Sequence, residues 1–291
     1  MLARPLEPDP ETALGYRPPS GRPSGPIDCL PVDETFLSNH LAPAFGDPQL
    51  IDGRWWPATL NRHLGDKPTY GFSTEYEATW RPEARRMLLV RLAALVERAR
   101  QAETALAEQP QLVIKETNGS HAADLVASLL PGSRMLLLIR DGRDVVDSLL
   151  DAYAPDGFLA RSEARTEPLD RAERLDWAAR LWACNSDASL RALADYDPAR
   201  SRILRYEDLL SDPQGELTGL FDWLGLTRSP ERIARIVSNC SFEAIPADQR
   251  GPGKRARSAR VGTWRDNLSV AESARLDQIF GPLLDRFGYA R

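Results

Sequence analysis

The hydrophobic pattern of the chain changes from one stretch to the next and predicts an order of helices and strands. Residues 82–108 carry Ala and Leu spaced among Arg and Glu, which is typical of a long amphipathic helix. Short apolar runs at 111–115, 134–139 and 201–205 predict buried strands, and the second is apolar throughout rather than alternating. Strands that alternate with helices indicate an α/β fold with a parallel sheet.

Local signals add helices between and after these strands. Ser120 is a predicted N-cap, and Asp141 followed by Asp144 resembles a capping box. A packed turn or a lid is predicted at Trp55 and Trp56. The helices are predicted over residues 121–130, 141–153, 168–194, 213–224, 230–238 and 270–287, with a short one near 33–45.

The start of the chain is predicted to be irregular. The first 31 residues contain eight prolines and three glycines, a composition that disfavours regular secondary structure. We therefore predict an irregular arm over residues 1–29 and a single domain over residues 30–291.

Composition narrows the classes of protein. The chain has 291 residues and a formal net charge of −5, which disfavours a general nucleic-acid binder. We expect no membrane span, because no apolar run approaches the roughly 18 residues needed, and no signal peptide. The three cysteines lie far apart, without the spacing of a disulfide framework or a zinc site. This predicts a cytoplasmic protein without a bound metal.

Lysine is rare in this chain. Only three of the 37 basic residues are lysine, namely Lys67, Lys115 and Lys254. GC-rich coding, which favours arginine, is the simplest interpretation. Each remaining lysine is then a candidate for a role that the bulkier, planar guanidinium does not fill.

A first candidate site follows the predicted strand at 134–139. Arg140 comes at the strand end and Ser148 lies about two turns into the next helix. Ligands of α/β sheets bind beyond the carboxyl ends of strands, and a guanidinium with a helix N-terminus suits a phosphate. A capped helix with surface ion pairs is the equally weighted alternative.

Two further segments are candidates for the same chemistry. Tyr206 follows the strand at 201–205 and is placed to stack on a base, although an ordinary loop tyrosine is more common. The basic run at 254–264 is either a solvated loop or a segment that closes over a phosphate.

These segments, in this order, resemble the sulfotransferases that use 3′-phosphoadenosine 5′-phosphosulfate (PAPS). The resemblance covers roughly residues 30–289. It implies a P-loop-NTPase-like parallel sheet flanked by helices, with PAPS as co-substrate and adenosine 3′,5′-bisphosphate as product. The matching stretches are Val113–Asn118, Leu137–Ser148, Arg205–Leu209, Leu224–Leu226, Arg257–Trp264 and Phe287–Tyr289.

The resemblance also implies roles for individual residues. Arg140 and Ser148 match the pair that holds the 3′-phosphate of the cofactor, and Tyr206 matches a residue near the adenine. Arg257 and the backbone through Ala259 match a second contact to that phosphate. The family usually has glycine where Ala259 stands, and the alanine Cβ limits how closely a ligand approaches the backbone there.

The same resemblance supplies candidates for the chemical step. Lys115 matches a strand-end lysine that stabilises the sulfuryl oxygens during transfer. Glu34 matches the glutamate that acts as base in tyrosylprotein sulfotransferases and many bacterial relatives. His121, at the start of a predicted helix near the same sheet edge, is the alternative base, and the assignment stays open between them.

One departure from the family pattern is large. The family opens with a strand and a loop that cradles the 5′-phosphosulfate, and this should lie about 20 residues before Glu34. Residues 18–22 contain some of the residue types of that loop, but in a different order. Pro23 and Pro26 disfavour the helix that should follow. Either the coding start or reading frame upstream of about residue 28 is wrong, which we favour, or the loop has degenerated.

The sequence therefore predicts transfer of a sulfuryl group to a hydroxyl or amine. The missing loop supports the alternative of an inactive, nucleotide-binding or interaction module. A P-loop kinase is disfavoured because its phosphate-binding motif is absent from the sequence. The acceptor, a small molecule, sugar or peptide, and the oligomeric state are left open. Aromatic residues that either cover the acceptor or form a small core are Trp55, Trp56, Tyr70, Phe72, Tyr76 and Trp80.

Overall fold

The described part of the chain falls into two compact units. The computed structural model describes residues 27–33, 49–51, 54–56, 76–101, 106–115, 120–160, 169–226 and 228–290. The first unit takes in Met1–Phe45 and Thr59–Pro131, and the second Gly46–Ala58 and Gly132–Arg291. No helix in these ranges is long and apolar enough to cross a membrane.

The first unit contains a pair of parallel strands. Strand β1 (Ile27–Asp33) runs beside β4 (Leu106–Lys115), with Leu30 opposite Leu112 and Asp33 opposite Lys115. The strand predicted at 111–115 is confirmed and starts earlier. The prediction that residues before Leu30 are irregular is wrong for 27–29, because pairing with β4 orders a stretch whose own sequence gives no strand signal.

Two helices complete the first unit. Helix α1 (Glu77–Gln101) corresponds to the helix predicted over 82–108, but it begins five residues earlier and ends seven residues earlier. Pro82 lies in its second turn. Helix α2 (Ala123–Leu129) follows a 3₁₀ turn at Ser120–Ala122, and no side chain caps it, so the predicted Ser120 cap is wrong. The buried residues that join the helices are Ala84, Leu88, Leu92, Ala99 and Leu129.

The second unit begins with a short hairpin. Strand β2 (Gln49–Ile51) pairs antiparallel with β3 (Arg54–Trp56). Trp55 is buried in the core of this unit, and its backbone N–H donates to Asp187 Oδ2 at 3.1 Å. The packed turn predicted at this tryptophan is therefore a strand held by a buried carboxylate.

The main strands of the second unit are parallel, as predicted. Strand β5 (Met135–Ile139) runs beside β6 (Ser201–Arg205), with Ile139 opposite Arg205. The prediction that β5 is buried throughout is wrong, because Leu136 and Leu138 are 39% and 54% exposed. Successive side chains point to opposite faces, and only the face with Ile139 packs into the core.

Helices lie between and after these strands along the described part of the second unit. A capping box between Asp170 and Glu173 starts the long helix Arg171–Ala194. The predicted helix over 270–287 is interrupted at Gly281 (φ 45°), and Pro282 starts the next one. In chain order the helices are α3 (Gly142–Ala152), α4 (Arg171–Ala194), α5 (Tyr206–Ser211), α6 (Pro213–Leu224), α7 (Pro230–Asn239), α8 (Trp264–Asn267), α9 (Val270–Phe280) and α10 (Pro282–Arg286).

Candidate functional site

Arg140 occupies the carboxyl end of β5, as the sequence predicts. Its guanidinium lies 4.8 Å from the centre of the Tyr206 ring, and its Nη2 donates to the carbonyl of Arg260 at 3.1 Å. The side chain is 24% exposed, and Nη2 lies 3.9 Å from Asp144 Oδ2. Its Nε is buried and has no hydrogen-bond partner among the described residues. The guanidinium thus keeps hydrogen-bonding capacity, while one face of Tyr206 is already covered.

The start of α3 is tied down by a buried ion pair. Asp141 Oδ1 accepts from the backbone N–H of Arg143 at 2.9 Å, so Asp141 caps the helix. Arg143, 1% exposed, donates to Asp141 Oδ2 at 2.8 Å and to the carbonyl of Ala290 at 2.7 Å. Asp144 does not complete the predicted capping box; its carboxylate binds a distant loop instead.

Three carboxylates of α3 hold one loop. We call Asp144, Asp147 and Asp151 the acidic face, because their spacing of three and four places them on one side of the helix. We call residues 250–263 the C-terminal loop. Asp151 Oδ2 accepts from the backbone N–H of Gly253 at 2.9 Å, and Asp144 Oδ2 from that of Gly262 at 2.7 Å. The loop is therefore held at both ends.

Asp147, the middle carboxylate of the acidic face, accepts hydrogen bonds from three side chains. Arg257 Nη1 donates to Asp147 Oδ1 at 3.1 Å, and Nη2 donates to Asp147 Oδ2. Thr263 Oγ1 and Asn267 Nδ2 lie 2.8 and 3.1 Å from Asp147 Oδ2. Burial alone would raise the pKa of Asp147, but these hydrogen bonds outweigh it and lower the pKa. The hydrogen bonds to Asp147 in turn raise the pKa of Arg257.

Ala259 has an uncommon backbone conformation within the C-terminal loop. Its φ of 48° makes it the one described non-glycine residue with positive φ. This conformation costs an L-residue with a Cβ roughly 1–2 kcal/mol. The position is the one at which the family resemblance expects glycine.

Glu207 connects the ends of the two strands. Its Oε1 accepts from the backbone N–H of Asp141 at 3.0 Å, and its Oε2 accepts from the hydroxyl of Tyr289 at 2.9 Å. Burial, and then the bond to Glu207, raise the pKa of Tyr289 far above its ordinary value. One carboxylate thus joins the β5–α3 turn, β6 and the end of the chain.

The five predicted nucleotide contacts all belong to the second unit, and they are Arg140, Ser148, Tyr206, Arg257 and Ala259. Ser148 is half-buried on α3, directly after Asp147.

Two of the three candidates for the chemical step, Lys115 and His121, belong to the first unit. Lys115 is the exposed last residue of β4, and His121 is buried, 5% exposed, in the 3₁₀ turn before α2. Glu34 lies outside the described residues.

Sequence reasoning missed Asp147 and Glu207. The spacing of the acidic face is visible in the sequence, and three carboxylates on one side of a helix that follows a buried strand could have indicated a partner. Glu207 carries no such signal, because both of its partners are distant along the chain.

Comparison with known proteins gives the family. The model of the Sulfotransferase family matches residues 45–230, so the chain belongs to this family.

Individual relatives match over shorter stretches. The chain is 34% identical over 95 residues to the omega-hydroxy-beta-dihydromenaquinone-9 sulfotransferase Stf3 of Mycobacterium bovis, over 33% of this chain and 21% of that protein. It is 28% identical over 90 residues to sulfotransferase 2A1 of Mus musculus, over 27% of this chain and 32% of that protein. The matches therefore span about a fifth and a third of these relatives.

Solved structures give more distant likenesses. One is the sulfotransferase domain of an olefin synthase from Synechococcus PCC 7002, with 16% identity, a TM-score of 0.44, and 95% and 99% of the two chains covered. Another is retinol dehydratase in complex with androsterone and the inactive cofactor PAP, with 20% identity, a TM-score of 0.47, and 70% and 63% covered.

Proposed function

We propose that this chain transfers a sulfuryl group from PAPS to a hydroxyl or amine acceptor. The observation that carries the proposal is membership of the Sulfotransferase family. The placement of Arg140, Ser148 and the C-terminal loop in one unit supports it.

The proposed nucleotide anchors surround the start of α3. Arg140 retains an unsatisfied Nε and partial exposure, which suits a phosphate acceptor of hydrogen bonds. Ser148 adds a hydroxyl two turns further along α3. Tyr206 offers the ring face that Arg140 leaves uncovered to the adenine. Binding energy from these remote contacts would serve to position the sulfate for transfer.

The proposed chemical step is an in-line displacement at sulfur. The acceptor oxygen or nitrogen forms a bond to sulfur while the bond from sulfur to the bridging phosphate oxygen breaks. Adenosine 3′,5′-bisphosphate leaves with the electron pair. Lys115 would neutralise the charge on the transferring oxygens, and Glu34, or alternatively His121, would take the acceptor proton, a role worth about 10²–10⁴ in rate.

The acceptor we propose is a small molecule with a hydroxyl group. Stf3, the relative from Mycobacterium bovis, is named for a hydroxylated menaquinone derivative, which supports this class over a macromolecule. A cytoplasmic location is also part of the proposal. The sparse cysteines, three in 291 residues, support it.

Thermal unfolding with adenosine 3′,5′-bisphosphate tests the nucleotide site. We expect stabilisation of the wild type, about 2.7 kcal/mol when the nucleotide is at 100 times its Kd. Arg140→Ala should abolish it. Arg275→Ala, which removes a bidentate partner of Asp176 elsewhere in the second unit, is the matched control and should retain it.

Turnover tests the reaction itself. Transfer of radiolabelled sulfate from PAPS to a panel of alcohols should be lost in Lys115→Ala and in the variant of the base, which is Glu34→Gln or alternatively His121→Gln, while stabilisation by the nucleotide remains. A wild type that neither binds adenosine 3′,5′-bisphosphate nor transfers sulfate would refute the proposed function.

A further inference from the structure

The hydrogen-bonding capacity of Arg257 is largely used inside the protein. Its two Nη nitrogens carry four N–H bonds, and four acceptors receive them. Nη1 donates to Asp147 Oδ1 at 3.1 Å and to the Asp147 carbonyl at 3.3 Å. Nη2 donates to Asp147 Oδ2 and to Thr263 Oγ1 at 2.9 Å. Among the residues that the structure describes, this leaves only the Nε–H for a ligand.

The carboxylate that takes up Arg257 is itself built into the helix. Asp147 is 4% exposed and lies one residue before Ser148, the predicted phosphate contact. Through Arg257 and Thr263 it holds both ends of the stretch that contains Ala259. Thr263 Oγ1 also lies 3.3 Å from Asp144 Oδ1, so the two carboxylates share this hydroxyl.

These contacts allow two opposite roles for Asp147. If Arg257 binds the phosphate mainly through its charge, Asp147 competes with the phosphate, and removing its charge should tighten binding. If the carboxylate fixes the loop so that its backbone and Ser148 receive the phosphate, removing it should weaken binding. The exhausted Nη donors favour the second role, because a competing ligand would have to break four hydrogen bonds to reach them.

We propose that Asp147 is a positioning residue of the nucleotide site: it fixes Arg257 and Thr263, and through them the C-terminal loop, beside Ser148. This inference rests on the proposed function, since it presupposes that a nucleotide phosphate binds there. Asp147 itself makes no contact with the ligand in this proposal, and Arg257 acts mainly as the clamp between loop and helix.

The affinity for adenosine 3′,5′-bisphosphate, measured by calorimetry, shows whether loss of the Asp147 charge weakens or tightens binding. Asp147→Asn should weaken binding about tenfold or more, because the neutral amide loses the charge-assisted hydrogen bonds that hold Arg257 and so releases the C-terminal loop from its place beside Ser148. The double variant with Arg257→Gln should bind no more weakly than the weaker single variant. Asp176→Asn, which breaks the bidentate pair with Arg275, is the matched control and should lower stability without changing the affinity. Tighter or unchanged binding by Asp147→Asn would overturn the proposal.

Hydrogen exchange without nucleotide gives an independent measurement. The backbone N–H groups of Gly253 and Gly262 should exchange faster in Asp147→Asn than in the wild type, and equally in Asp176→Asn. If Asp147→Asn does not fold, Thr263→Val carries the same expectations, because it removes the shared hydroxyl and keeps the shape. Exchange that Thr263→Val leaves unchanged would overturn the proposal.

The two measurements separate this proposal from the proposed function. A wild type that neither binds adenosine 3′,5′-bisphosphate nor transfers sulfate refutes the proposed function, and the positioning role with it. A wild type that binds, combined with an Asp147→Asn variant of unchanged or higher affinity, refutes the positioning role alone.

Discussion

Replacing Gly142 by alanine tests the packing behind the candidate site. A Cβ on this residue would lie 2.7 Å from Trp182 Cδ2 and 2.8 Å from Phe280 Cζ. Both rings are buried, at 7% and 1% exposure, and their centroids are 4.6 Å apart, so neither can move aside freely. Overpacking of this kind costs about 1–3 kcal/mol, which corresponds to a fall in Tm of roughly 2–12 °C for a unit of this size.

Gly142→Ala should also disturb Arg140, the proposed phosphate contact. Trp182 Nε1 donates to the carbonyl of Arg140 at 3.1 Å, so displacement of the indole moves the turn that carries Arg140. We therefore expect Gly142→Ala to lower both the Tm and the stabilisation by adenosine 3′,5′-bisphosphate.

The control for this substitution is another glycine of the second unit. A Cβ on Gly132 would meet nothing within 4 Å. Thermal and urea unfolding should show Gly132→Ala to be neutral or more stable by about 0.4–1 kcal/mol. If Gly142→Ala unfolds like Gly132→Ala, the close packing of α3 against Trp182 is not a constraint and the reasoning fails.

Two further predictions concern buried carboxylates. The pKa of Asp147 is lowered in the folded protein, so its contribution to stability is fully present above about pH 5 and is lost as the pH falls through and below the unfolded value of about 3.9. Thermal melts between pH 3 and 7 should show a shallower acid decline in Asp147→Asn; an unaltered decline would contradict this. Tyr289→Phe removes the donor to Glu207 Oε2 and should cost about 1–3 kcal/mol in urea unfolding, because it leaves this partly buried oxygen with the more distant Arg205 Nε, 3.9 Å away. A cost no larger than that of Tyr76→Phe, at an exposed tyrosine, would count against it.

Local signals predicted much of the second unit. Strand β6 and helix α6 have the predicted bounds, because a short apolar run and the Asp212–Pro213 start are both read from neighbouring residues. The prediction of one continuous helix at 270–287 is wrong at Gly281, because Gly followed by Pro is itself a local signal that ends a helix.

Pairing between distant segments limited the prediction elsewhere. Strand β1 lies in a Pro-rich stretch, and only its partner β4 gives its backbone a parallel ladder. The apolar run of β5 predicted burial on both faces, yet Leu138 is exposed, since burial depends on what covers each face and not on the side chain alone.

The sequence by itself determined the α/β class, the parallel strands and the family, because each depends on local periodicity or on motifs in a fixed order. It placed Arg140 at the end of β5 for the same reason. Only the tertiary structure decided that the Asp147 carboxylate accepts hydrogen bonds from Arg257 and Thr263 of the C-terminal loop and from Asn267 of α8, and that Glu207 joins Asp141 to Tyr289. Such contacts are set by the packing of distant segments, where a buried charge is stable only with its partner beside it.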